Sequence, residues 1–142
     1  MSEPISALYS DLILRHNREP FGFGVLVGAN RQGEAENRSC GDHVVMAFVV
    51  DDDDRITAAQ FHGEGCAICT AAASILCQSL RQRDTQAALV FLADAEALIQ
   101  TGAPPSGDIG ELLTFAELKH VPARRRCALL PVSAARVALA AP

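Results

Sequence analysis

The stretch HVVMAFVVDDDDRITAAQFH, residues 43–62, contains two runs rich in β-branched, aromatic and small apolar residues, separated by four consecutive aspartates. Such runs are typical of β-strands, and a short polar break between them is typical of a hairpin. We therefore predict strands at about 43–50 and 56–62, with a third strand near 34–39 beside them. The aspartates are interpreted as a solvated turn rather than a cation site.

Helical patterns lie on both sides of this hairpin. Upstream, apolar residues at helical spacing predict an amphipathic helix over about 4–17, followed by a glycine-rich loop. Downstream, we expect helices over 66–83, over 85–101 with Gly102 as the terminator, over 107–121, and from Pro131 onward. The order predicts one α+β domain, residues 1–142, with a small three-stranded antiparallel sheet packed against several helices.

Composition restricts the classes of function. The 142 residues are 49% hydrophobic and carry a net charge of −5, so no basic surface for nucleic acid or anionic membranes is indicated. The first residues lack a basic and then apolar leader, and no apolar run has the length of a membrane span, so a soluble cytoplasmic protein is expected. Five cysteines in a chain with a substantial core favour reduced thiols in metal or sulfur chemistry over a disulfide framework.

Three of the cysteines are candidates for a metal site. Cys40 and Asp42 are two residues apart at the edge of a predicted strand, where both would point to the same side. Cys66 follows a Gly-Glu-Gly turn into an alanine-rich helix, whose positive end favours a thiolate. Cys127 is the remaining candidate for a fourth ligand, and the arginines at 124–126 would also favour a thiolate there.

Other interpretations of the same residues stay open at this point. The spacing is not that of a zinc ribbon, and these cysteines could be ordinary small core residues. Cys66 and Cys69 could form a dithiol redox pair, although the βαβ context of such sites is absent. Cys77 lies about 16 Å along the helix from Cys66, so we predict a core role. Strand alternation predicts that His43 points away from the side used by Asp42.

Four blocks of the chain resemble, in the same order, the IscU/NifU-like family of iron–sulfur assembly proteins. They are LYSDLILRHNREPFGFGVL (8–26), SCGDHVVMAFVV (39–50), FHGEGCAICTAAASIL (61–76) and VPARRRCALL (121–130). Within this family the chain is most similar to the SufU branch. Sixty residues separate Cys66 from Cys127, with extra material, a helical insertion, around 84–110. Arg126 precedes Cys127 where IscU-type scaffolds carry a histidine.

The resemblance implies a fold, a metal site and a partner. It assigns Cys40, Asp42, Cys66 and Cys127 to a metal, which is zinc in SufU-type proteins, and it assigns sulfur acceptance to Cys40. The implied partner is a SufS-type cysteine desulfurase, which would make this chain a sulfur-transfer partner in iron–sulfur cluster assembly rather than a stand-alone enzyme. Downstream cluster-assembly proteins are further possible partners.

Two alternatives and one departure accompany the resemblance. The same four residues could instead hold a [2Fe–2S] cluster in a scaffold protein, or the chain could be a degenerate member with structural zinc only. Arg124 and Arg126 are expected to supply positive charge around the ligands, and an arginine cannot itself act as a ligand. Cys69 occupies a position at which the family usually has a serine, which leaves an extra thiol near the site.

Overall fold

The computed structural model of the protein describes residues 10–140. Its elements are, in chain order, α1 (Asp11–Arg18), β1 (Arg31–Asn37), β2 (Asp42–Val50), β3 (Ile56–Glu64), α2 (Ala67–Leu80), α3 (Thr85–Thr101), a 3₁₀ helix (Gly110–His120) and α4 (Pro122–Ala140). The strands form one antiparallel sheet in the order β1-β2-β3, which confirms the predicted α+β class. No helix within residues 10–140 is long and apolar enough to cross a membrane.

The predicted hairpin forms two of the three strands of the sheet, and its first strand, β2, is the central one. β2 pairs with β3 on one side and with β1 on the other, and seven of its nine residues are buried. This burial explains why its sequence is a nearly continuous apolar run rather than an alternating one. The third strand begins and ends earlier than predicted, at 31–37. The aspartates at 51–54 are exposed, and a carboxylate oxygen of Asp51 accepts the backbone N–H groups of Asp53 and Arg55, so the turn interpretation is confirmed.

Helix α2 is the central helix of the protein. Ten of its fourteen residues are buried, and it contacts α1, β3, the 3₁₀ helix and α4. Its many alanines allow neighbouring elements to approach closely, so the stretch immediately after Cys66 is fixed from several sides. α2 ends at Leu80, three residues before the predicted end.

The C-terminal helix corrects a prediction. α4 begins at Pro122 and continues without interruption through Pro131, where the sequence had predicted the start of a separate helix. Pro122 occupies the first helical position, at which its missing N–H has no cost. Pro131 is buried inside the helix and cannot donate to the carbonyl of Cys127. Because α4 packs on β1, β2, α2 and α3, tertiary contacts outweigh that lost hydrogen bond.

The remaining boundaries differ only slightly from prediction. Residues 4–9 of the expected first helix lie outside the described residues, and α1 itself begins after Ser10, whose side chain caps the N–H of Ile13. The helix predicted over 107–121 is a 3₁₀ helix. Gly102 ends α3 in a left-handed conformation, as predicted.

A polar trio of two buried residues, His16 and Ser74, and the half-buried Glu111 connects α1, α2 and the 3₁₀ helix. The Ser74 hydroxyl lies 2.6 Å from His16 Nδ1 and accepts the backbone N–H of Phe21 at 2.7 Å. His16 Nε2 lies 2.8 Å from a carboxylate oxygen of Glu111. Since Ser74 accepts from Phe21, its own hydrogen is available to His16 Nδ1, and the Nε2–H then donates to Glu111. The trio therefore positions the first helix and the loop that follows it.

Ser74→Ala is expected to destabilise the protein by about 1–3 kcal/mol, because it removes the partner of the buried His16 Nδ1 and of the half-buried Phe21 N–H. Urea unfolding measures the change as a lower midpoint with an unchanged slope. Ser79→Ala on the same helix is the matched control and should shift the midpoint far less, because Ser79 is only half-buried. Equal shifts in the two variants would contradict this role for Ser74.

Candidate metal centre

Cys40 lies in the tight turn between β1 and β2, just outside the strand at whose edge the sequence had placed it. The backbone oxygen of Asn37 accepts the N–H groups of Gly41 at 2.9 Å and Cys40 at 3.3 Å, and its side-chain oxygen accepts the N–H of Ser39. Gly41 has φ 77°, a conformation that favours glycine. The turn presents the Cys40 thiol to solvent. Asn37 was not identified from the sequence, although an asparagine two residues before a serine is a turn signal.

Asp42 is the first residue of β2 and is only 7% exposed. Its Oδ2 atom is buried and has no hydrogen-bond partner among the described residues. A buried carboxylate oxygen without a partner is costly, and a bound cation is one way to satisfy it. The next residue, His43, points to the other face and hydrogen-bonds Glu34 at 2.7 Å, which confirms the predicted alternation.

Cys127 completes a compact set of donor atoms. It is 4% exposed on α4, and its Sγ, the Cys40 Sγ and a carboxylate oxygen of Asp42 all lie within 4.8 Å of one another. We refer to these three residues as the donor cluster. Sulfur ligands of a tetrahedral zinc lie about 3.8 Å apart, so a small contraction would allow the donor cluster to surround one ion. Two thiols and a carboxylate suit zinc or iron better than magnesium or calcium.

Cys66 adjoins the donor cluster through Cys127. It is half-buried at the N-cap of α2, one position before the helical turn in which it was predicted. A hydrogen bond from Cys127, together with the backbone N–H groups of Cys69 and Ile68, lowers the pKa of Cys66 to about 6, against the opposing effects of burial and the Asp42 charge. The same hydrogen bond and burial raise the pKa of Cys127. Of these two thiols, Cys66 therefore loses its proton more readily.

The other two cysteines have separate surroundings. Cys69 is 2% exposed, and burial, followed by the negative charges of Asp42, Cys66 and Cys40, raises its pKa to about 12. Cys69 is therefore a neutral thiol beside the site. Cys77 is completely buried in the hydrophobic core, which confirms the prediction for it.

The arginines before Cys127 lie in different places. Cys66 and burial raise the pKa of Cys127. Arg124 acts in the opposite direction, because it hydrogen-bonds the Cys127 sulfur and favours its thiolate. Arg126 is exposed and lines a cleft together with Pro122 and Leu129. Only Arg124 therefore acts directly on a donor atom.

The site combines the turn before β2, the first residue of β2, the N-cap of α2 and the second turn of α4, and its thiol and carboxylate donors could hold a metal ion. Comparison with known proteins gives the family. Residues 8–108 match the family model described as the NifU-like N-terminal domain, and the chain belongs to this family of iron–sulfur cluster assembly proteins.

Two kinds of relative are about equally similar to the chain. It is 30% identical over 127 residues to the zinc-dependent sulfurtransferase SufU of Bacillus subtilis (strain 168), covering 89% of this chain and 85% of that one. It is 29% identical over 137 residues to the iron–sulfur cluster assembly scaffold protein IscU of Streptococcus pyogenes serotype M1, and the match covers 95% of this chain and 84% of that one. Similarity alone therefore does not separate the two functions.

Solved structures agree on the fold. The SUF-system iron–sulfur cluster assembly scaffold protein FiSufU of Fervidobacterium islandicum AW-1 superposes with a TM-score of 0.82 at 30% identity, covering 93% of this chain and 96% of that one. The N-terminal part of a NifU-like protein from Brucella abortus superposes with a TM-score of 0.83 at 18% identity, covering 97% of this chain and 96% of that one. At this identity the likeness shows the fold alone.

Proposed function

We propose that this protein is a zinc-dependent sulfur acceptor in iron–sulfur cluster assembly, and that Cys40 takes sulfane sulfur from the persulfide of a SufS-type cysteine desulfurase. The observation that carries the proposal is the difference in exposure within the donor cluster. Cys40 is exposed at the tip of a turn, whereas Asp42 and Cys127 are buried. A partner's active site can reach Cys40 while the other groups remain inside the protein.

The proposed ligands are Cys40, Asp42, Cys66 and Cys127. The unpartnered Oδ2 of Asp42 and the hydrogen-bonded sulfurs of Cys66 and Cys127 both fit a site that is completed by a cation. Zinc would neutralise part of the charge of three thiolates and hold them together without redox chemistry. Arg124, bonded to Cys127, would offset part of the remaining negative charge.

The chemical step belongs to Cys40. Its thiolate attacks the outer sulfur of the desulfurase persulfide, the S–S bond of that persulfide breaks, and the desulfurase cysteine leaves as a thiolate. Cys40 then carries the sulfur as a persulfide. This is an exchange of the thiol–disulfide type and needs no external oxidant or reductant.

A scaffold function is the second candidate, because the IscU relatives named above are described as scaffolds. Arg126 favours the sulfur acceptor, since this residue before Cys127 stays protonated and offers no ligand atom for a cluster. The same proposal treats residues 84–110, which include α3, as a helical insertion of the SufU branch.

Substitution of single cysteines tests the ligand set. Cys66→Ser and Cys127→Ser are expected to lose most of the bound zinc, because each removes one of the proposed sulfur donors. Cys77→Ser should keep about one zinc per chain, since that thiol lies about 16 Å further along the helix. Elemental analysis of the purified proteins measures the difference. Zinc retained by Cys127→Ser but lost from Cys77→Ser would show that the proposed ligand set is wrong.

A further inference from the structure

Cys69 lies beside the donor cluster, and Gly65 is close both to Cys69 and to Asp42. A Cβ atom on Gly65 would stand 2.8 Å from the Cys69 sulfur and 3.7 Å from the carboxyl carbon of Asp42. Gly65 therefore leaves open the space through which these two side chains face each other. The buried, unpartnered Oδ2 of Asp42 provides a second and independent sign that a ligand belongs in this region.

The position of Cys69 on its helix also suits metal chelation. Cys66 is the N-cap of α2, and Cys69 is the third residue of that helix. Side chains at the N-cap and third positions of a helix approach each other, as they do in a capping box. Two cysteines separated by two residues are also a common chelating pair in zinc sites. Cys69 can thus reach a metal that Cys66 already holds.

We infer that Cys69 is a reserve metal ligand, which occupies the coordination position of Cys40 when Cys40 leaves it to carry sulfur. This inference rests on the proposed metal site. The exchange is balanced: Cys40 leaves the metal, the Cys69 thiol releases its proton to water, and the resulting thiolate binds. A thiol that coordinates a metal is deprotonated outright.

The resting structure explains why Cys69 is held in reserve. Three sulfurs and one carboxylate already provide a four-coordinate set, so no position is open while Cys40 is in place. Cys69 is buried and is packed by the core residues of α2, which keeps its sulfur close to the site without exposing it to solvent. The chain would then retain its metal during sulfur transfer without a ligand from the partner.

Cobalt(II) provides a direct count of the sulfur ligands, because its sulfur-to-metal charge-transfer absorbance grows with the number of bound thiolates. We expect the Cys40→Ala protein to keep the absorbance of the wild type, since Cys69 replaces the lost thiolate. Cys40→Ala/Cys69→Ser should fall to about two-thirds of it, as one of three thiolates is missing. Zinc competition with a chelator should show that the double variant binds more than about tenfold more weakly than Cys40→Ala.

Controls separate this inference from the function on which it rests. Cys40→Ala/Cys77→Ser should match Cys40→Ala, and Cys69→Ser alone should keep the full absorbance. Cys40→Ala/Cys69→Ala repeats the test without adding a polar group to a buried position, and circular dichroism verifies folding. If the cobalt absorbance of Cys40→Ala is already two-thirds of the wild-type value and does not fall further when Cys69 is also substituted, the reserve role alone is overturned. A loss in Cys69→Ser alone would show a resting ligand instead. A wild type without thiolate absorbance would overturn the metal site and the inference together.

Discussion

Removal of zinc is expected to lower the melting temperature of this protein by at least about 10 °C. Structural zinc contributes an apparent 10–16 kcal/mol or so in small peptides, which is comparable to the total stability of a domain. Even a third of that amount, about 4 kcal/mol, corresponds to a shift of this size for a chain of this length. The physical reason is that the metal-free site leaves Oδ2 of Asp42 buried without a partner. It also leaves the sulfurs of Cys66 and Cys127 side by side without a cation to hold them.

Calorimetry before and after treatment with a chelator measures this shift, and added zinc should restore the original value. Cys77→Ser should show the same fall as the wild type because its site is intact. Cys66→Ser should melt at a low temperature with or without the chelator, because it has little zinc to lose. A wild type that binds no zinc and melts unchanged would rule out the proposed cofactor.

The sheet could be predicted because it depends on local patterns. The apolar runs around the four aspartates determine the hairpin, and strand alternation correctly separated Asp42 from His43. The family resemblance then indicated which cysteines meet. The structure brings Cys40, Asp42 and Cys127 together, with Cys66 beside Cys127.

Features that depend on contacts distant in sequence could not be predicted. Local rules placed a helix start at Pro131, but packing of α4 across the sheet keeps this proline inside a longer helix. The turn that exposes Cys40 is a different case, because its hydrogen bonds to Asn37 are local and the sequence analysis did not identify that asparagine as a turn residue. That Cys69 faces Asp42 across Gly65 follows from how α2 packs beside the sheet, and residue spacing does not contain that information.

Cys40→Ala is expected to abolish stimulation of the cysteine desulfurase, even where the two proteins still bind each other. The variant lacks the exposed sulfur atom that would attack the persulfide. Cys127 is buried, and Cys66 is half-buried at the N-cap of α2, so neither presents its sulfur as Cys40 does. Asp42→Ala should be less severe. It alters the metal site but leaves the exposed thiol of Cys40 in its turn, so part of the stimulation should remain.

The two variants together separate a sulfur acceptor from a scaffold, because the two functions make different demands on Cys40 and Asp42. A scaffold uses both residues as static ligands, so both substitutions should impair cluster retention to a similar degree. An acceptor needs Cys40 as the nucleophile, whereas Asp42 only holds the metal nearby. Desulfurase turnover with each variant measures how strongly the protein stimulates the enzyme. Mass spectrometry measures whether Cys40 gains one sulfur atom. Cys77→Ala is the matched control for both measurements. Undiminished stimulation by Cys40→Ala, or a cluster spectrum in the wild type without a sulfur adduct, would favour the scaffold, since in neither case would Cys40 be the sulfur acceptor.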